Sequence, residues 1–227
     1  MSHRLIVIIF LVGAAVFVLS GCAASDKVEK AEMVEETTMD IQVEEPVVEK
    51  AEEVEKAVAE KADKVESDGF ILRVNCGTFT PYTDKAGNEW LSDQDMEDGR
   101  KWGAEGGLIS DRSGLNIPDT NAPTIYQTER YSMYAYRFIV PNGKYTVRLH
   151  FAETYYGITG EGERVFSVSI NGRKVLTDFD PYKEAGGYEK PIVKEFTGID
   201  VTGEEILIEF TANIENPEIN GIEILSE

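Results

Sequence analysis

YTVRLHFAETYYG, residues 145–157, decides the fold. Its first seven residues alternate. Tyr145, Val147, Leu149 and Phe151 fall on one side, and Thr146, Arg148 and His150 on the other. Neighbouring strand residues point to opposite faces, so this is a half-buried antiparallel strand with one apolar face. The strand then runs into an acid, Glu153, and two adjacent tyrosines, Tyr155 and Tyr156. Adjacent rings cannot share one core while the chain stays extended. The pair therefore belongs where strand becomes loop.

Similar short runs lie on both sides. ILRVNCG, YAYRFIV, RVFSVSI, VKEF and ILIEF read as strands, rich in β-branched and aromatic residues. Pro141-Asn142-Gly143 and Asn171-Gly172 are turn signals between such runs. Many short strands without a strong helix predict an all-β sandwich over residues 70–227, long enough for one core. Tyr134, Tyr136 and Phe138 keep the same alternation and are expected on the core or a sheet face.

The amino-terminal third has a different character. Arg4 is followed by an apolar run and then by Leu19-Ser20-Gly21-Cys22. A charged start and apolar middle make a secretory signal. The run is short for a membrane span and has no basic cluster after it. The closing four residues resemble the lipobox of bacterial lipoproteins, which implies a signal peptide over residues 1–21 and lipidation of Cys22. By the same resemblance, Ala23 points to the outer membrane in a cell with two membranes.

Residues 22–69 then form an acidic linker. Between Asp26 and Asp68 there are sixteen acids, six lysines and no aromatic residue. Such a segment buries too little apolar surface to offset its ordering entropy. Val47, Ala51, Val54, Val58, Ala62 and Val65 recur at helical spacing. That stripe suits a partly helical or disordered tether. It is too short, and its residues too small, to favour a coiled coil.

Composition narrows the function. A formal net charge of −20 argues against nucleic-acid binding, which works by neutralising phosphates. Of two histidines, His3 lies in the signal, and His150 is expected to be solvated on a strand's polar face. Of two cysteines, Cys22 is taken by lipid, and Cys76 reads as a small buried residue of the first strand. No Cys/His metal cluster, nucleophile elbow or phosphate loop is available. SDQDMEDGR, residues 92–100, is dense in carboxylates. It misses the spacing of a calcium loop, because Gln94 and Met96 stand where ligands are required. No cofactor is implied, and the chain is expected not to be an enzyme. Glu129 and Arg130 could contact ligand but are expected instead to form an ion pair framing their strand, Glu153 to orient a tyrosine or hold loop amides rather than touch sugar, and Asn75 and Gly77 to make a turn.

Exposed tyrosines and acids on the loops of a rigid sandwich are a sugar-site pattern. A flat ring covers the apolar face of a pyranose, and a carboxylate accepts from neighbouring hydroxyls. Nine stretches carry a resemblance over nearly all of residues 70–225. They are VNCG (74–77), DxxG with WxxD (84–93), IYQTERY (125–131), PNGxYxV (141–147), LHFAE (149–153), RVFxV (164–168), ING (170–172), DFD (178–180) and NP followed by GIEI (216–224). In this order they resemble the malectin domain. That resemblance implies a jelly-roll, galactose-binding-like β-sandwich that binds carbohydrate without catalysis. Its glucose-binding residues carry over to Tyr131, Tyr155, Tyr156 and Glu215, the last replacing the animal protein's aspartate. A further upstream tyrosine of that family has no match near Ile109 and Ser110. The implied ligand is a glucan or another glucose-containing glycan at the cell envelope. Two rivals are an envelope adhesion or scaffold protein, with a broad apolar patch, and a glycoside hydrolase, with two acids facing across a cleft.

Overall fold

The computed structural model describes residues 69–227. The expected signal peptide, the expected lipidation at Cys22 and the expected acidic tether lie outside the described residues. Twelve strands follow in order: β1 (Ile71–Asn75), β2 (Tyr82–Thr83), β3 (Glu89–Ser92), β4 (Trp102–Asp111), β5 (Thr128–Ile139), β6 (Gly143–Phe151), β7 (Val165–Ile170), β8 (Arg173–Phe179), β9 (Ile192–Val201), β10 (Glu205–Ile214), β11 (Glu218–Ile219) and β12 (Gly221–Ser226). A 3₁₀ turn at Pro123–Gln127 precedes β5, and one short helix, α1 (Pro181–Ala185), precedes β9.

The strands form two sheets of a sandwich. One runs β2-β3-β1-β12-β6-β9. The other runs β5-β10-β7-β8, with β4 and β11 also paired to β5. The YTVRLHF alternation is real: Tyr145, Val147, Leu149 and Phe151 are fully buried. Their core partners include Phe166 and Phe179, whose ring centroids lie 5.9 and 4.8 Å from that of Phe151. Each such buried side chain contributes about 1.5–3 kcal/mol. The Asn171-Gly172 signal is a hairpin turn between β7 and β8, with both residues in the left-handed region at φ +48° and +72°.

Two expectations need correction and a third is narrowed. His150 is not solvated. Its Nδ1 lies 2.8 Å from the Tyr126 hydroxyl and its Nε2 3.0 Å from Glu223 Oε1, because the 3₁₀ turn and Trp90 cover that face of the sheet. Of the two places expected for Tyr134, core or sheet face, it takes the sheet face, 74% exposed. The β4–β5 register pairs Glu105 with Ala135 and Gly106 with Met133, leaving Tyr134 as an extra residue. That bulge breaks the alternation on which Tyr134, Tyr136 and Phe138 share one face. Glu129 and Arg130 do not pair with each other. Glu129 meets Arg112 at 3.0 Å, whereas Arg130 meets Asp93 at 2.8 Å and Asp95 at 2.9 Å. Adjacent strand residues face opposite ways, so each finds its own partner.

Cys76 is buried just after β1, as expected. Gly77 follows it in a turn at φ +81°. Asn75 closes β1, and its Oδ1 accepts from the Thr128 hydroxyl at 3.1 Å. The carboxylate-rich loop has a framework role. Asp93 accepts from Arg130, from the Tyr136 hydroxyl at 2.9 Å and from the Gly77 amide at 2.7 Å.

Candidate functional site

At one end of the sandwich, the end of β4, the start of β5, the loop after β6, the approach to β7 and the turn after β10 converge on a cavity of about 490 Å³. Ser110, Asp111, Arg112, Glu129, Tyr131, Tyr155, Tyr156, Arg164, Glu215 and Asn216 line it. The structure therefore brings together all four binding residues expected from the sequence: Tyr131, Tyr155, Tyr156 and Glu215. Ser110 stands in the wall opposite Glu129, and Ile109 pairs with Arg130 outside the lining, so the region without an upstream aromatic opens onto the cavity.

The floor comes from strand alternation. Glu129 and Tyr131 are two apart on β5 and share a face. Leu108 of β4 and Glu218 of β11 both pair with Tyr131, from its two sides. The walls come from the loop at residues 152–164. Glu153, fully buried, organises it by accepting from the Tyr155 amide at 2.9 Å and from Arg164 Nε at 2.6 Å. This is the loop-amide role expected of Glu153. The Tyr188 hydroxyl donates to the Thr154 carbonyl at 2.6 Å, and the Ile158 amide donates to the Tyr155 carbonyl at 2.9 Å. The Tyr155 ring folds over Gly157, where a Cβ would sit 2.5 Å from it. That contact fixes the ring against one wall, with the Arg112 guanidinium 5.8 Å from its centroid. The Tyr156 ring lies 5.0 Å from the Tyr155 ring at 56° and is 81% exposed. Two adjacent tyrosines thus line one cavity with their rings tilted to each other.

Glu215 sits in the turn after β10 at φ +59°, a left-handed conformation that a non-glycine residue rarely holds. Its Oε1 accepts from the Asn216 side chain at 2.8 Å, which leaves the second oxygen for a ligand. Arg164 donates to the Asn216 carbonyl and ties this turn to Glu153.

Charges alternate below the rings. Glu129 Oε2 accepts from Arg112 at 3.0 Å and from the Thr154 hydroxyl at 3.2 Å. Burial pushes the Glu153 carboxyl up, with Arg164 opposing. Burial disfavours the Arg164 charge, but Glu153 and Glu218 outweigh it and raise the guanidinium pKa. Glu218 is fully buried, and neither carboxyl oxygen has a hydrogen-bond partner among the described residues. Burial, with Glu129 and Glu153 beside it, pushes its carboxyl well above the usual range. Sequence reasoning missed Arg112, Arg164 and Glu218. Their proximity comes from long-range pairing, and no local pattern marks it.

The fold and the cavity define an all-β sandwich domain with a ligand-sized site at its strand ends. The Malectin domain family matches residues 70–222, and the chain belongs to that family. Receptor-like protein 4 of Arabidopsis thaliana is 41% identical over 70 residues, covering 31% of this chain and 11% of that protein. Among solved structures, the Bacteroides uniformis beta-glucuronidase is similar at 30% identity and a TM-score of 0.63, over 70% of this chain and 18% of that one. The plant complex of peptide RALF23 with FER and LLG2 shares the fold at 19% identity and a TM-score of 0.58, over 70% of this chain and 48% of that one. The chain thus spans less than half the length of each of these relatives.

Proposed function

We propose that the protein is a non-catalytic carbohydrate-binding module of the cell envelope, taking glucose-containing oligo- or polysaccharides. The observation that carries this reading is the meeting of Tyr131, Tyr155, Tyr156 and Glu215 around one cavity of about 490 Å³. The rings offer flat faces to the C–H face of a pyranose, and Glu215 offers a free acceptor to its hydroxyls. Arg112 and Arg164 already donate to protein acceptors, so they stiffen the walls. Family membership and the occurrence of a similar fold within a beta-glucuronidase support a glycan ligand. The two-sheet architecture is compatible with a jelly-roll of the galactose-binding-like kind.

In the same reading, Cys22 carries a lipid, the acidic segment is a tether and the outer membrane is the destination. A shallow, partly solvated site binds weakly on its own, and a membrane-tethered array of copies gains by avidity.

Calorimetric titration of the full chain in detergent with α- and β-linked glucose oligosaccharides tests the site. Binding by wild type, and its loss in the Tyr155→Ala/Tyr156→Ala double variant, is the expected result. No binding by wild type, or unchanged binding by the double variant, overturns the reading. Lipid labelling in cells tests the anchor: Cys22→Ser should abolish it, and persistent labelling refutes the lipoprotein assignment.

A further inference from the structure

β5 reverses its facing twice within four residues. Glu129 and Tyr131 share one face of β5, the face that lines the cavity. A regular strand would send Met133 outward as well. Instead Ser132 takes φ +60°, and Met133 turns into the core at 2% exposure. Tyr134 then turns outward, and the bulge at this residue returns Tyr136 and Phe138 to the core. Regular pairing would have buried Tyr134 with them. Both departures flank Met133 and Tyr134, and their joint result is a tyrosine displayed on the same face as Tyr131. Left-handed non-glycine backbone of this kind costs energy and clusters at functional sites.

The opposing strand accommodates that ring. Gly106 and Gly107 are both left-handed, at φ +75° and +85°. A Cβ on Gly106 would stand 2.8 Å from Tyr134 Cε2, so the ring lies across bare backbone. Leu108, 60% exposed, is the direct cross-strand partner of Tyr131. The face thus continues from the cavity wall at Tyr131 through Leu108 to Tyr134, about 10 Å along β5. It presents an aliphatic patch and a flat ring next to a cavity already lined by rings.

We propose that the glycan site extends beyond the cavity, with Leu108 and Tyr134 forming an outer subsite for further sugar residues of the same chain. This rests on the carbohydrate reading of the cavity and adds a preference for chain length to it. The occupant is a glucan long enough to leave the cavity past Tyr131 and lie on β4–β5.

The test compares glucose disaccharides with hexasaccharides in both linkage series, titrated into the full chain in detergent. Wild type should bind the hexasaccharide about three- to tenfold more tightly, the range expected of one additional ring contact. Tyr134→Ala should erase that gain while disaccharide affinity stays within about twofold, and Tyr134→Phe should keep it. Leu108→Ser should reduce it. Circular dichroism melting checks that the variants fold. Equal affinity for the two lengths in wild type, or a gain that survives Tyr134→Ala, overturns the extension and leaves the cavity reading intact. Wild type binding neither length overturns both.

Discussion

Glu218 and Tyr131 stand directly opposite each other on β11 and β5, one sealed without a hydrogen-bond partner among the described residues, the other lining the cavity. Glu129, Glu153, Arg164 and Arg112 face Glu218 from the surrounding elements. The site is therefore built over a buried acid whose carboxyl is pushed toward its protonated form, first of all by burial.

That acid makes stability depend on pH in a known direction. The folded carboxyl lies well above the ordinary value of 4.5, so the unfolded chain releases this proton first. The stabilising contribution is complete below that value and is lost as pH rises toward the folded pKa. Glu218→Gln removes the ionisable group but keeps the shape. Its melting temperature should match wild type near pH 4 and exceed it increasingly toward pH 8, by about 2–4 °C for each kcal/mol recovered. A constant difference between the two melting curves across that range would refute the assignment.

Gly77 tests the backbone beneath the site. A Cβ there would fall 2.1 Å from the Glu129 carbonyl oxygen, and φ is +81°. Gly172 is equally left-handed at +72° but has nothing within 4 Å. Gly172→Ala should cost about 1 kcal/mol in denaturant unfolding. Gly77→Ala should cost about 4 kcal/mol or more, because rigid backbone blocks it.

Asp93 and Asp95 both hold Arg130, yet they should differ sharply. Asp93 is buried and also serves Tyr136 and the Gly77 amide, whereas the Asp95 side chain is 65% exposed. Removing one partner of a buried pair strands the other charge. Asp93→Asn should lose about 3–5 kcal/mol of unfolding free energy. Asp95→Asn should lose about 1 kcal/mol or less, by the same measurement.

The tyrosine pair should divide its labour. Tyr156 is 81% exposed, so Tyr156→Ala should leave stability within about 0.5 kcal/mol while weakening glycan binding. Tyr155 packs over Gly157 and beside Arg112, so Tyr155→Ala should lower both. Thermal melts beside titrations of each single variant separate the two roles.

Where local pattern decides conformation, the sequence was legible. YTVRLHF showed its core face, and Asn171-Gly172 showed its hairpin. β4 was hidden because WGAEGGLISD carries three glycines and no sustained alternation, and long-range pairing, with β5 along its length and with residues 94–96 at Ala104, holds it. His150 was misread because its cover comes from distant elements that no window of sequence contains. The same holds at the site. Tyr131, Tyr155, Tyr156 and Glu215 were reached through resemblance, and the structure brings them to one cavity. The charges beneath them were not reached, because Arg112 meets Glu129, and Arg164 meets Glu153, only once the strands have paired.

The direction of β6 has a last consequence. It runs from Gly143 to Phe151 and ends at the cavity. Its beginning lies beside the first residues of β1 and the last of β12, where the Ser226 amide donates to the Phe70 carbonyl and the Glu227 amide to that of Lys144. Both ends of the described chain therefore leave the sandwich on the side away from the tyrosines. The two ends of β6 are thus given to different tasks, the described chain ends at one and the cavity lining at the other.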